Sequence, residues 1–99
     1  MSDLRFDSID AAVEASRSDP DGLLLDVRTA EEYTAGHIPG SVNVPWETLS
    51  RFDADVPGTI YVYCRSGSRS ARAAALLAQM DYEAVNIGGI IDYRGELER

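Results

Sequence analysis

Thr59-Ile60-Tyr61-Val62-Tyr63-Cys64-Arg65-Ser66-Gly67-Ser68-Arg69-Ser70 changes character at Cys64. Up to that point the residues are β-branched or aromatic, the strongest strand signal in the chain. Beyond it come small and cationic residues, and then a helix. Ala73, Leu76, Leu77 and Met80 recur at i, i+3, i+4 and i+7, which predicts a helix over about 69–80 with one buried stripe. A strand that passes through a tight loop into a helix is half of a parallel α/β unit.

Outward from this stretch the same alternation continues. Leu23-Leu24-Leu25-Asp26-Val27 is a short apolar run bounded by polar residues, and reads as a strand buried on both faces. Thr29 with Glu32 forms a capping box that starts a short helix near Ala30. Asp7 or Ser8 caps a helix over 9–17, and Ser18-Asp19-Pro20-Asp21-Gly22 is a turn. Further strands are expected at 4–6, 41–44 and 83–87, with a short helix from Pro45 and another after Gly88-Gly89. The fold class is α/β, a mainly parallel sheet flanked by helices.

With 99 residues the chain is expected to form one domain, 1–99, with a core large enough to need no disulfide or metal. Its N-terminus has no basic start followed by an apolar stretch, and no apolar run is long enough for a bilayer, so the expectation is a cytoplasmic protein off the membrane. The net charge is −8, which argues against nucleic acid and anionic membranes as partners. One Cys and one His, His37, do not make an ordinary zinc site, and no metal or cofactor is expected.

All nine basic residues are Arg, and three of them, Arg65, Arg69 and Arg72, fall within eight positions beside the lone cysteine. A loop at the carboxyl end of a buried strand, opening a helix, is where ligands gather in open α/β sheets. Ser66, Gly67 and Ser68 let the chain curl so that its amides point inward as an anion nest, reinforced by the helix dipole. Thiolate, not thiol, is the nucleophile, and an ordinary cysteine is only a few per cent ionised at neutral pH. Such a field favours the ionised form. The residues alone therefore point to a nucleophilic Cys64 acting on an anionic substrate. A buried structural cysteine is the plain alternative.

The sequence resembles the single-domain rhodaneses over nearly its whole length. Leu25-Asp26-Val27-Arg28 is similar to the family's first core strand and its exit. Glu32, Tyr33, Gly36-His37-Ile38-Pro39-Gly40-Ser41 and Asn43-Val44-Pro45 resemble its second signature. Cys64 to Ser70 matches the active-site loop, and Gly88-Gly89 the turn before the terminal helix. The resemblance implies a rhodanese-like fold and a thiosulfate sulfurtransferase. Sulfane sulfur would pass from a donor such as thiosulfate to Cys64 as a persulfide, then to cyanide or a thiol. Arg65 and Arg69 would hold the donor's oxyanion, and the loop Ser66, Gly67, Ser68 would cradle the terminal sulfur. A persulfide relay to a sulfur-accepting protein is the second reading. A phosphatase or arsenate reductase is the third, and loop length speaks against it. Phosphatases resembling this fold have five residues between Cys and Arg, whereas four separate Cys64 from Arg69.

The remaining polar residues read as support. Asp26 and Arg28, at the first strand's exit, suit a structural salt bridge or capping network, with Glu31 or Glu32 as further members. His37, flanked by Gly36 and Pro39-Gly40, suits a turn fixed by hydrogen bonds better than acid–base work. Trp46 belongs either to the core or to the pocket rim. Asp81 stands where the family often has Gly at the end of the post-loop helix, a left-handed position that Asp tolerates. Tyr93 stands where the family often has Trp.

Overall fold

Strand residues alternate between two faces, so a strand buried on both sides must meet an apolar layer on each. The computed structural model, which describes residues 6–99, shows both layers. Its elements are α1 (Ile9–Arg17), β1 (Leu23–Asp26), α2 (Ala30–Ala35), β2 (Val42–Asn43), a 3-10 helix (Trp46–Arg51), β3 (Thr59–Cys64), α3 (Ser68–Gln79), β4 (Glu83–Gly89) and a closing 3-10 turn (Ile90–Asp92). The sheet is parallel throughout with order β2-β1-β3-β4, so β3 is central and delivers Cys64 at its carboxyl end.

On one face Leu24, Tyr61, Tyr63 and Ile87 pack with Ile9, Ala12 and Val13 of α1. On the other, Leu25, Val27, Ile60, Val62 and Cys64 pack with Ala73 and Leu77 of α3 and with Leu49. Helices thus cover both faces. Trp46 is half-buried against this second layer.

The expected boundaries hold closely, and the departures have physical causes. Ser8, not Asp7, caps α1, accepting from Ala11 N–H at 3.1 Å. The strand expected over 41–44 narrows to Val42–Asn43, because Ser41 turns back to bond the Ile38 carbonyl through both its amide and its hydroxyl. The helix after Gly89 is a single 3-10 turn, since the Arg94 amide leaves the ladder and donates to Asp10 at 3.0 Å. Asp81 is the one non-glycine residue of positive φ among the described residues, at 72°. The strand expected at 4–6 falls largely outside the described residues. No helix among them is long and apolar enough to cross a membrane.

Candidate active site

The loop after β3 closes within three residues around its own cysteine. Gly67 adopts φ 105°, a left-handed conformation open to glycine, and serves as N-cap of α3 with no side-chain cap. A helix start normally has a serine or aspartate oxygen facing its first amides. Here sulfur occupies that place. The Gly67 N–H donates to Cys64 Sγ at 3.0 Å, and the Ser70 hydroxyl lies 3.4 Å from the same atom. Burial pushes the Cys64 thiol up, but the Ser70 hydroxyl and the amides of Ser70, Gly67 and Ser66 together bring it below its ordinary value.

The loop rests directly on the end of β4. A methyl group at Gly89 would sit 2.6 Å from Ser66 Cα, so only glycine fits beneath the loop. The Ile91 amide donates to the Arg65 carbonyl at 3.2 Å, pinning the residue after the cysteine. Asn86 reaches the loop from the same strand. Its Oδ1 accepts from Ser70 Oγ at 2.7 Å and its Nδ2 donates to the Gly67 carbonyl at 3.2 Å.

The arginines divide. Arg65 is exposed and has no ion pair among the described residues. Arg69 is bound by Glu32, Nη1 to Oε1 at 2.9 Å and Nη2 to Oε2 at 3.1 Å. The Arg69 hydrogen bonds hold the Glu32 carboxyl down at about 2, against the opposing effect of burial. Glu32 also completes the capping box of α2, with Thr29 N–H to Oε1 at 3.0 Å. Ser66 and Ser68 are exposed on the loop.

Asp26 and Arg28 lie at the exit of β1, and His37 in the turn after α2. Both Asp26 oxygens accept from the Arg28 guanidinium, the shortest contact being 2.7 Å, and Arg28 also donates to the Gly36 carbonyl. Asp26 is wholly buried and Arg28 nearly so. Glu31 takes no part. His37 stacks on Tyr33 with ring centroids 3.8 Å apart, and its two nitrogens face the Tyr33 carbonyl and Glu98.

The chain matches the family model described as Rhodanese-like domain over residues 9–96. It belongs to the rhodanese family. Its relatives include the thiosulfate sulfurtransferase PspE of Escherichia coli (strain K12), 38% identical over 73 residues, which cover 69% of this chain and 70% of that one. The adenylyltransferase and sulfurtransferase uba4 of Ogataea parapolymorpha is 39% identical over 80 residues, covering 76% of this chain but only 21% of that protein. Among solved structures, a rhodanese-like domain protein from Staphylococcus aureus superposes with a TM-score of 0.76 at 30% identity, over 92% of this chain and 93% of that one. A rhodanese domain with relatives named sulfurtransferases supports sulfur transfer as the general chemistry.

Two connections in this site escaped the sequence reading. The Glu32–Arg69 pair joins residues 37 positions apart, and Glu32 already had a local explanation as a helix cap. Asn86 lay unremarked inside a strand pattern, with no local signal to mark it.

Proposed function

We propose that the protein, acting as one domain in the cytoplasm, is a thiosulfate-type sulfurtransferase that carries sulfane sulfur on Cys64. The observation that carries this reading is the sulfur of Cys64 held by the Gly67 N–H at 3.0 Å and facing the Ser70 hydroxyl at 3.4 Å. The Cys64 thiolate attacks the outer sulfur of thiosulfate. A new S–S bond forms, the donor's S–S bond breaks, and its electron pair leaves with sulfite. A cyanide or thiolate acceptor then attacks the terminal sulfur and Cys64 departs as thiolate.

Arg65, exposed and without an ion pair among the described residues, supplies the charge that meets the donor's oxyanion. Arg69 contributes from its place against Glu32. The amides of the loop stabilise the anionic persulfide as they do the thiolate. The four-residue interval between Cys64 and Arg69 is that of the sulfurtransferase loop the sequence resembles, one residue shorter than the phosphatase loop.

The test is intact-protein mass spectrometry after thiosulfate, then cyanide, on wild type and Cys64→Ser. The expected result is a gain of about 32 Da, one sulfur atom, removed by cyanide and missing in the variant. No adduct with thiosulfate or with a glutathione persulfide donor overturns the assignment. Relay to a protein acceptor is the second reading, favoured by the occurrence of a related segment inside a much longer adenylyltransferase and sulfurtransferase. It predicts faster discharge to one protein acceptor than to cyanide.

A further inference from the structure

The pairing of β3 with β4 slips next to the site. Val62 pairs with Asn86 but Tyr63 pairs with Gly88, so Ile87 is an extra residue on β4. Bulges of this kind re-aim side chains beside active sites. Here the slip leaves Asn86 beneath the head of α3, between Ser70 and Gly67. The orientation of its amide follows from its neighbours. The Gly88 N–H, which can only donate, lies 3.0 Å from Oδ1. Oδ1 is therefore the acceptor, and Ser70 Oγ at 2.7 Å must donate to it.

A serine hydroxyl has one proton. Its contact to Asn86 Oδ1 is the shortest; the Gly67 carbonyl lies at 3.1 Å, and the Gly88 carbonyl and Cys64 Sγ each at 3.4 Å. The Gly67 carbonyl already accepts from the Ala71 amide and from Asn86 Nδ2, so it competes less for the hydroxyl proton. While Ser70 donates to Asn86, it offers sulfur only lone pairs, which suit a neutral S–H. When Cys64 ionises, its proton leaves to solvent, and the hydroxyl can turn its own hydrogen toward the sulfur anion. Asn86 Oδ1 then keeps the Gly88 amide as its donor. No proton passes between Ser70 and Cys64; one hydrogen bond is exchanged for another. Arg69 remains on Glu32.

We propose that Asn86 is a positioning residue that competes with Cys64 for the Ser70 hydroxyl proton and so sets how readily the sulfur ionises. The proposal deepens the sulfur-transfer reading and rests on it for its significance. Its test uses no sulfur donor, so the two can fail separately.

The measurement is the pH dependence of Cys64 alkylation by iodoacetamide, with thiolate absorbance as a second readout. The proteins are wild type, Asn86→Leu, Ser70→Ala and the double variant. Ser70→Ala should raise the midpoint. Asn86→Leu should lower it by about half a pH unit, roughly threefold faster alkylation below the midpoint. In the Ser70→Ala background the Asn86→Leu shift should vanish, because no hydroxyl is left to compete for. Should Asn86→Leu fail to fold, Asn86→Asp carries the same test. Its carboxylate is a stronger acceptor, so its upward shift should be larger with Ser70 present than with Ala at that position. A midpoint unmoved or raised by Asn86→Leu, or equal shifts in both backgrounds, overturns the proposal.

Discussion

Glu32 and Arg69 are joined by two hydrogen bonds, of 2.9 and 3.1 Å, across 37 residues of chain. The pair links the first turn of α2 to the first turn of α3. It also gives one carboxylate an acid-labile stabilising role. The Arg69 hydrogen bonds depress the folded Glu32 from 4.5 to about 2. A depressed carboxyl contributes stability above its unfolded value and loses it as pH falls through its folded value. Glu32 therefore stabilises fully above about pH 4.5 and loses that contribution down to about pH 2. Urea midpoints of wild type and Glu32→Gln should differ at pH 6 and converge toward pH 2. A constant difference over that window would contradict this role.

Asp26→Asn should be among the most destabilising substitutions that leave side-chain volume unchanged. It removes the counter-charge from Arg28, which is only 6% exposed. Breaking a buried pair from one side costs about 3–5 kcal/mol. Urea unfolding at neutral pH measures this loss.

Gly89→Ala tests the seat of the loop. A Cβ there meets Ser66 Cα at 2.6 Å, so the loop must rise. Overpacking of this kind costs about 1–3 kcal/mol. The amides should also draw away from sulfur, so alkylation of Cys64 at pH 7 should slow while Cys64 becomes more exposed.

Asp81→Gly should stabilise. Asp81 holds φ 72° just past α3, where an L-residue is strained by about 1–2 kcal/mol, less for Asp. The greater chain entropy of glycine offsets part of the relief, leaving a gain of about 0.5 kcal/mol. A thermal melt rising with unchanged circular dichroism is the expected outcome.

The layout was legible where its causes are local. The Thr59–Tyr63 pattern fixed the central strand, and Thr29 with Glu32 announced the cap of α2 that the structure shows. Asp81 was readable only through the resemblance, which sets a glycine at the end of the post-loop helix. The Cys64 loop was readable because strand, small residues and cations adjoin in sequence. The Glu32–Arg69 pair and the Asn86 contacts arise from register and packing across the sheet, which no short window encodes. The end of the last helix was hidden for the same reason, since Asp10 draws off the Arg94 amide from the far end of the chain.

The ring around Cys64 consists of amides and a hydroxyl, none of which changes protonation state between pH 4 and 10. His37 makes its contacts with Tyr33 and Glu98, not with the sulfur. Among the described residues, no acid or base other than Cys64 itself is hydrogen-bonded to the sulfur. Its reactivity should climb through one ionisation and then stay level, with no falling limb from a paired acid. The incoming nucleophile must therefore arrive already deprotonated, and the basicity of the acceptor, rather than any relay within the protein, becomes the variable that sorts one partner from another.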